Sequence, residues 1–322
     1  MQNPSSISVI ICAYTELRWQ QMLDAVKSLQ TQTLAPSEII LAIDHNPALA
    51  ARTRECIDHV VVIENKENRG LSGARNTAIR HATGDIIAFM DEDAFAGPDW
   101  LEHLSNGYAD RRVVGVGGAI IPLWEAHRPR WFPEEFDWVV GCTYRGMPQT
   151  QAPVRNLIGC NMSFRREVFD VVGGFRNGIG RVGTRPVGCE ETELCIRIQQ
   201  HWPRRILLHN PAAVVNHHVP RSRAAWSYFL SRCYSEGLSK ALVAHFVGTG
   251  DGLATERNYT LRTLPHGVVR SLGDAFHGKW FALGHAIAIP LGLALTILGY
   301  LLGNIRLRRA SWERLNSEQP TI

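Results

Sequence analysis

The chain has 322 residues, of which 45% are hydrophobic and 20% are charged, so it is long enough for one large globular domain with an appendage, and disorder is not expected. The formal net charge of +4 is small for this length and the arginines are dispersed, which argues against a protein that binds nucleic acid. The seven cysteines form no CxxC pair, so neither a disulfide framework nor a zinc site is indicated, and a reducing cytoplasm fits best.

The N-terminal third alternates strand patterns with helix patterns. Apolar runs typical of buried strands occur at residues 8–14, 38–43, 60–63 and 85–90. Helical spacing or composition occurs between them, at Leu23, Val26 and Leu29 and over residues 71–82. This alternation predicts a parallel sheet with helices on both faces and ligands at the carboxyl ends of its strands. The short polar start, MQNPSS, predicts no signal peptide.

The run GDIIAFMDEDA, residues 84–94, ends an apolar strand pattern in three acids. Alternation of side chains predicts Asp91 and Asp93 on one side and Glu92 on the other, so the outer carboxylates can converge on one ligand. Such carboxylates repel each other unless a cation lies between them, and Mg²⁺ or Mn²⁺ holding a diphosphate is the candidate. The alternative is a solvated acidic turn, because short acidic motifs are common.

A second motif, NRGLSGARN at residues 68–76, lies between the third predicted strand and these acids. Gly70 and Gly73 permit a close approach to the following helix, while Arg69 and Arg75 can neutralise a diphosphate or pair with nearby carboxylates. An ordinary helix start explains the glycines. It does not explain why the segment leads, through one helix and one strand, to the acidic run.

These motifs occur in order with SVIICAYTE at residues 8–16 and with a strand that ends at Asp44. Over residues 6–240 the pattern resembles family 2 glycosyltransferases. The resemblance implies an α/β protein of GT-A fold, with a Rossmann-like nucleotide-binding sheet covered by helices. It also implies that Asp44 accepts a hydrogen bond from the base. His45 stands where many relatives have a second acid, so the base and ribose contacts stay open.

The resemblance implies a set of site residues. Those implied to bind the nucleotide sugar are Ala13, Tyr14, Glu16, Asp44, Arg75, Asp91, Glu92 and, in GCNMSFRRE, Asn161. The metal, Mg²⁺ or Mn²⁺, is implied to bind Asp91, Asp93 and His218. His217 and His218 are adjacent, and a structural role is the alternative for either. An imidazole could complete a site begun by Asp93.

The segment GCEETELCIR, residues 188–197, predicts a helix with Leu194 and Ile198 on its core face. Glu193 and Arg197 are predicted to form a surface pair, and acids in a first turn also stabilise the helix dipole. Glu190 and Glu191 match the acidic motif that supplies the catalytic base in the family. Glu191 is the first choice for the base and Glu190 the second, and the helix N-terminus is expected to keep Glu191 ionised.

The other motifs are less specific. GCNMSFRRE, residues 159–167, taken alone predicts a strand followed by a helix. The Trp- and Pro-rich segment 122–153 is expected to form a lid or a substrate wall. Arg221, Arg223 and the segment 232–237 either add positive charge over the phosphates or form a solvated basic face.

The C-terminal region differs in composition from the rest of the chain. Residues 283–302 form an apolar run of about 20 residues, enough to span a bilayer, although a buried core helix gives the same pattern. Lys279 and Trp280 precede the run and three arginines follow it, which favours membrane contact. A single crossing with a cytoplasmic catalytic domain would place those arginines outside, against the usual bias, so an in-plane or re-entrant segment stays open.

The expected domains are a catalytic domain, a linker, a membrane segment and a polar tail. Their bounds are 1–240, comprising a nucleotide-sugar half at 6–121 and an acceptor half at 122–240, then 241–282, 283–302 and 303–322. The expected location is the cell membrane, with the catalytic domain cytoplasmic.

The sequence thus predicts a metal-dependent inverting glycosyltransferase that moves a sugar, UDP-linked, to a lipid-linked or polysaccharide acceptor, and no nucleic-acid partner is expected. In such a reaction a carboxylate takes the acceptor proton and a metal stabilises the leaving diphosphate. The alternatives are a sugar nucleotidyltransferase, which expects a Gly-rich basic loop where this chain has CAYTE, and an inactive membrane-anchored carbohydrate-binding protein.

Overall fold

The computed structural model describes residues 6–180, 188–248 and 258–317, with side chains up to Arg309. The strands are β1 Ile7–Ala13, β2 Glu38–Ile43, β3 Val61–Glu64, β4 Ile86–Asp91, β5 Ala94–Ala96, β6 Val113–Trp124, β7 Ala152–Val154, β8 Asn161–Arg165 and β9 Ile206–Val219. The helices are α1 Trp19–Gln30, α2 Pro47–Cys56, α3 Leu71–His81, α4 Trp100–Gly107, α5 Arg166–Val171, α6 Glu190–His201, α7 Trp226–Val247, α8 Leu264–Phe276 and α9 Ala282–Ser317. Short 3₁₀ turns lie at Glu16–Arg18, Glu134–Val140 and Arg221–Ala224, and a π-helical turn at Tyr259–Thr263 precedes α8.

Within the described ranges, nine strands form one sheet in the order β3-β2-β1-β4-β8-β6-β9-β5, and β7 pairs with β9. The four strands predicted in the N-terminal third are parallel, as expected. Cys12 of β1 is in register with Asp91 of β4, and Ala13 with Ile43 of β2. These strands therefore end at one edge of the sheet, and the polar residues that follow them meet there.

The second half of the sheet is mixed, because β8 runs antiparallel between β4 and β6. Asn161 at the start of β8 pairs with Met90, one residue before the acidic run. The predicted strand and helix of GCNMSFRRE are β8 and α5. The antiparallel insertion brings Asn161–Arg165 and the residues before it against the edge at which the parallel strands end.

Helices cover both faces of the sheet. Met22, Val26 and Leu29 of α1 are buried with α2 and α4 in one apolar cluster, while α3, α5 and α6 pack into another. Each cluster consists mainly of aliphatic and aromatic side chains, whose burial drives the packing. The expectation of helices on both sides of the sheet is confirmed.

The long helix α9 lies against α7 and α8. A Cβ on Gly299 would clash with the carbonyl oxygen of Tyr234, one on Gly237 would clash with the backbone of α9, and one on Gly303 would lie 2.7 Å from the Cβ of Ala241. These close approaches require small residues on both helices. The boundary expected at residue 240 falls inside α7, so that helix joins the catalytic and C-terminal regions.

Among the described helices, the part of α9 from Ala282 to Arg309 is long and apolar enough to cross a membrane, with a mean hydropathy of 2.0. Only the length and the composition of this segment support a membrane crossing.

Candidate active site

Asp44 organises the carboxyl edge of the parallel strands. Its carboxylate accepts hydrogen bonds from the Asn65 amide at 2.7 Å and from the Gly70 backbone N–H at 2.9 Å. Its own N–H donates to the carbonyl oxygen of Ala13 at 2.7 Å. Asp44 therefore ties the end of β1 to the loop of NRGLSGARN, and its contact with a base stays a prediction.

The residues after β1 lie at the mouth of this edge. Ala13 is buried, whereas Tyr14 and Glu16 are exposed. Thr15 caps the short turn that follows, and Glu16 lies 3.7 Å from Arg52. His45 has a positive φ of 50°, and its ring nitrogen contacts the carbonyl oxygen of Glu67. Tyr14 and Glu16 are thus exposed beside the carboxyl edge of the sheet, and their contact with a nucleotide stays a prediction.

Arg75 is a buried cation at the centre of the site. Its guanidinium donates to Glu190 at 2.8 Å and to the carbonyl oxygen of Gly159 at 3.2 Å, and it lies 3.6 Å from Asp91. A Cβ on Gly159 would approach Arg75 to 3.0 Å, which explains the glycine there. The predicted pairing of Arg75 with nearby carboxylates is confirmed. Although burial opposes the charged form, the carboxylates of Glu190 and Asp91 raise the pKa of the Arg75 guanidinium.

The three acids do not continue as an alternating strand. Asp91 ends β4 and is half-exposed, and the chain then turns at Glu92 and Asp93, which are both buried. Arg18 binds both of them, at 2.9 Å to Glu92 and 3.2 Å to Asp93. The expectation that Glu92 points away from Asp93 is therefore wrong, because a turn replaces the strand geometry on which it depended.

Asp93 is held by two guanidinium groups and an imidazole. Besides Arg18, it contacts His217 Nε2 at 3.3 Å and Arg223 at 3.7 Å. Although burial opposes ionisation, His217 and the two guanidinium groups hold the pKa of Asp93 well below its usual value. Asp93 is thus an ionised carboxylate with its partners already in place.

The structure brings His217, and not His218, to these acids. The two residues lie on opposite faces of β9, and Pro122 of β6 is in register with His217. Donor atoms of Asp91, Cys160 and His217 all lie within 4.8 Å of one another. Burial raises the pKa of the Cys160 thiol well above its usual value, and a soft sulfur ligand does not suit Mg²⁺ or Mn²⁺ as oxygen and imidazole nitrogen do. Asp91 and His217 are therefore the groups in this set that suit a divalent cation.

Asn161 lies in the core and not on the cavity wall. Its amide nitrogen donates to the carbonyl oxygens of Ala119 and Ala213 at 2.9 and 2.8 Å, and its oxygen accepts from Trp100 Nε1 at 2.8 Å. Both amide hydrogens are therefore used. This placement differs from the predicted contact with the donor sugar, because the strand turns this side chain toward β6, β9 and α4.

Helix α6 begins at the expected acids. Cys189 precedes it with a positive φ of 73°, a conformation that side chains other than glycine rarely adopt. Glu190 is buried against Arg75, and its Oε2 has no hydrogen-bond partner among the described residues. Glu191 is half-buried and faces the same cavity. Glu191 is thus the less constrained carboxylate of the two.

The pKa of Glu191 is raised to about 8, because burial and the neighbouring charge of Glu190 outweigh the backbone hydrogen bond and Arg75, which lower it. The expectation that the helix N-terminus keeps Glu191 ionised is therefore wrong. A pKa near neutral pH is suited to a group that takes and releases a proton.

Other parts of the α6 prediction are confirmed with one change. Leu194 and Ile198 are fully buried. Glu193 binds Arg197 at 2.8 Å, as predicted, but the carboxylate is fully buried and also binds Arg176 at 3.1 Å. The pair stabilises the interior beneath the site and is not a surface feature.

A cavity of about 410 Å³ joins these residues to the C-terminal helices. Its lining includes Arg75, Asp91, Glu190 and Glu191. Its other walls come from the Trp-rich segment and from the last three helices, and include Phe136, Trp138, Tyr144, Leu264, Leu293, Thr296, Ile297 and Tyr300. The cavity lining therefore combines charged side chains with apolar and aromatic ones.

Sequence reasoning did not single out some of these residues. Arg18 binds two acids but stands alone in the sequence, with no motif to mark it. Arg232 and Glu236 belong to the segment 232–237 considered in the sequence, but Lys240 was not singled out; all three line the cavity on α7, and Glu236 lies 3.6 Å from Arg232 and 3.5 Å from Lys240. Their spacing of four residues places them on one helix face, so this stripe was visible in the sequence.

The sequence matches the profile of Glycosyl transferase family 2 over residues 8–173. It is 38% identical over 241 residues to the glucosyl-dolichyl phosphate glucuronosyltransferase of Haloferax volcanii, covering 74% of this chain and 77% of that relative. It is also 23% identical over 237 residues to the succinoglycan biosynthesis protein ExoM of Rhizobium meliloti, covering 72% of each chain.

Two solved structures share the architecture. The mannosyltransferase PcManGT from Pyrobaculum calidifontis, in complex with GDP-Man and Mn²⁺, has a TM-score of 0.57 at 19% identity, over 93% of this chain and 88% of that one. GalNAc-T7 with UDP, GalNAc and Mn²⁺ has a TM-score of 0.54 at 18% identity, over 88% of this chain and 55% of that one. These structures establish the fold, and the sequence matches establish the family: the chain belongs to glycosyltransferase family 2 and has the GT-A fold.

Proposed function

We propose that the protein transfers a sugar, with inversion at the anomeric carbon, from a UDP-sugar to a hydroxyl group of a lipid-linked acceptor. The observation that carries this proposal is the cavity, whose lining contains Asp91 and Glu191 together with apolar side chains of α8 and α9, Leu264, Leu293 and Ile297. A water-soluble acceptor needs no apolar wall of this kind, whereas a sugar on a polyprenyl chain does.

Glu191 is proposed as the catalytic base. Its half-buried carboxylate faces the cavity, and its raised pKa makes the ionised form a stronger proton acceptor than an ordinary carboxylate. Glu190 instead binds Arg75 and fixes the guanidinium beside Asp91. The hydroxyl oxygen attacks the anomeric carbon as its proton passes to Glu191, and the bond from that carbon to the diphosphate breaks.

The residues present fit a divalent metal, for which Asp91 and His217 are the proposed ligands. Asp91 is half-exposed toward the cavity, whereas Asp93 is committed to Arg18, Arg223 and His217 and is proposed to orient the imidazole. A carboxylate suits both Mg²⁺ and Mn²⁺, but an imidazole nitrogen is more typical of transition metals, so Mn²⁺ is proposed. When bound, the metal neutralises charge on the departing diphosphate.

The donor and acceptor are proposed from the relatives. The Haloferax volcanii relative is named a glucosyl-dolichyl phosphate glucuronosyltransferase. UDP-glucuronate and a polyprenyl phosphate-linked sugar are therefore the first donor and acceptor to test. The solved structures hold UDP in one case and GDP-mannose in the other, so the panel includes GDP-sugars.

The test is release of nucleoside diphosphate by the full-length protein in detergent, with Mn²⁺ or Mg²⁺, across UDP-, GDP- and dTDP-sugars. Each donor is assayed with a polyprenyl-linked acceptor and with the same sugar lacking its lipid. We expect turnover that requires the lipid and is lost in the Glu191→Gln variant. Equal turnover with the lipid-free sugar would contradict the proposed lipid-linked acceptor. Absence of transfer from every donor would contradict the proposed reaction.

A further inference from the structure

We infer that α8 and α9 dock the protein onto the surface of a lipid bilayer, and that α9 lies in the plane of the membrane instead of crossing it. We call the part of the protein from β1 to α7 the catalytic body. Both ends of the apolar part of α9 rest on the catalytic body, and the face of α9 turned away from it is apolar along its length.

Helix α9 packs against the catalytic body along its whole apolar run. Near its N-terminal end, a Cβ on Gly284 would meet Trp131 at 2.7 Å. In the middle, the Thr296 hydroxyl donates to the carbonyl oxygen of Cys233 at 3.1 Å. Toward the C-terminal end, Gly303 lies against Ala241 of α7. The whole apolar run, about 30 Å of helix, is therefore in contact with the catalytic body.

Helix α7 in turn is part of the active-site region. Val243 packs with Cys189 and Ile196 of the α6 segment, and the Ser239 hydroxyl accepts a hydrogen bond from the Gly188 backbone N–H. A perpendicular α9 would carry α7 through the hydrocarbon with its charged stripe, Arg232, Glu236 and Lys240. Ionisable groups at that depth are costly, so the in-plane arrangement is favoured.

The outer face of α9 is apolar. Every exposed residue from Phe281 to Ile305 is apolar. The larger ones recur at helical intervals and form one stripe of Leu283, Ile287, Leu291, Ile297, Leu298, Leu301 and Ile305. Isolated exposed hydrophobic residues are ordinary, but a continuous stripe several turns long marks an interaction surface.

The stripe extends onto α8 and the turn before α9. Val269, Phe276 and Trp280 are 69%, 89% and 72% exposed. Trp280 and the exposed Lys279 lie at one end of the stripe, and exposed arginines from Arg306 to Arg309 lie at the other. Aromatic and basic residues at the borders of an apolar face match the headgroup region of an anionic bilayer, and this composition favours lipid over a second protein.

The position of the cavity also favours lipid as the partner of this face. Ile297 belongs to the exposed stripe and also lines the cavity, so the cavity reaches the docking face beside this residue. An acceptor could then pass from the bilayer to Glu191 without entering water. This argument rests on the proposed lipid-linked acceptor, whereas the docking geometry rests on packing and exposure alone.

The topology test uses the full-length protein reconstituted in vesicles of phosphatidylcholine and phosphatidylglycerol. Cys56 is exposed on the catalytic body, and Lys279→Cys and Arg308→Cys add one thiol at each end of the apolar run. We expect a membrane-impermeant maleimide to label all three positions in the same proportion. Protection of position 308 when positions 56 and 279 are labelled would show that α9 crosses the membrane and would overturn the inference.

The docking test compares Ile287→Glu and Leu298→Glu with Val171→Glu, which places the same charge at an exposed apolar position on α5. We expect each stripe variant to weaken binding to the same vesicles, followed by flotation, at least about tenfold, since one buried Leu or Ile contributes that much. Val171→Glu should bind as wild type. If the stripe variants floated normally but changed a dimer into a monomer in light scattering, the stripe would bind a second copy, and the inference would fail. Neither readout requires catalysis.

Discussion

At the scale of single residues, the environment of Glu191 decides how it can act. Its half-buried carboxylate lies beside the buried carboxylate of Glu190, and burial together with that charge raises its pKa to about 8 from the usual 4.5. A base must be ionised before it can take a proton, so the rate of transfer should increase with pH until Glu191 is ionised.

We therefore expect kcat/KM to rise about tenfold per pH unit below about pH 8 and then to level off. Glu191→Gln should lower kcat/KM at least about 100-fold, the usual contribution of a general base. Initial rates across pH measure both, with Glu167→Gln on α5 as a control for loss of an acid outside the site. A flat profile in wild type would show that the pKa of Glu191 is not raised, and full activity of Glu191→Gln would exclude Glu191 as the base.

The same pKa predicts an effect on stability. The folded protein binds a proton at Glu191 more tightly than the unfolded chain, so the free energy of unfolding should fall as pH rises from about 4.5 to about 8. Because Gln cannot ionise, Glu191→Gln should be the more stable protein above pH 8, by about 1 kcal/mol or more. Thermal unfolding at two pH values tests this, and an unchanged difference between the proteins would contradict it.

Asp91 and Asp93 are two residues apart but have different surroundings, and their variants should differ accordingly. Asp91→Asn should lower kcat/KM about 100-fold or more with little change in unfolding temperature, because the side chain is half-exposed and faces the cavity. Asp93→Asn should cost about 3–5 kcal/mol of stability, because it leaves Arg18, Arg223 and His217 without their shared partner. Enzyme assays and thermal unfolding separate the two. A stable Asp93→Asn protein that binds no Mn²⁺ would show instead that Asp93 is a ligand.

At the scale of elements, the seam between α7 and α9 depends on glycines. Gly299→Leu would place side-chain atoms where the carbonyl oxygen of Tyr234 now lies. We expect this change to lower the free energy of unfolding by about 1–3 kcal/mol or more, as overpacking does. Gly273→Ala on α8 is the matched control, because a Cβ there meets nothing within 4 Å and should be neutral or slightly stabilising. Equal unfolding temperatures for both variants would show that the helices separate easily.

The elements also show how far the sequence alone could predict the fold. The four parallel strands were predicted because each is a continuous apolar run between turn signals. Helix α2 was missed, since Leu49, Ala50 and Thr53 are its buried residues and this gives almost no periodicity. The pairing of β8 between β4 and β6 joins segments far apart in the chain, and local patterns contain no information on such partners.

The candidate site was predictable where a residue follows a strand and less so where a side chain's direction matters. Asp44 and Asp91 lie at the carboxyl edge because the order of elements places them there, whereas Glu191 was chosen from its match to the acidic motif of the family. Asn161 and His217 lie on strands, and the face to which each points depends on register with β6. A shift of one residue reverses that face, which is why His218 was the predicted residue.

At the scale of the whole molecule, the apolar C-terminus and the catalytic body form one packed unit. Arg270 of α8 binds the fully buried Glu135 at 2.7 Å, and α9 covers Phe229 and Gly237 of α7. The protein is thus not a catalytic domain with an independent anchor.

We expect a chain that ends at Val247 to aggregate or to unfold at a much lower temperature than the full-length protein in the same detergent, because it exposes the buried face of α7. Size-exclusion chromatography and circular dichroism measure the outcome. A monodisperse truncated protein with the helix and strand content of the full-length catalytic body would show that α8 and α9 are dispensable for folding.

The position of α7 between the cavity and α9 has a mechanical consequence. One face of α7 presents Arg232, Glu236 and Lys240 to the cavity, and another is fitted to the glycines of α9. Because such close-packed helices move together, lateral pressure or curvature of the surrounding lipid that tilts α9 would also displace these charges. Turnover should then respond to the physical state of the membrane as well as to substrate concentration, so the bilayer would set the rate of the enzyme that it supports.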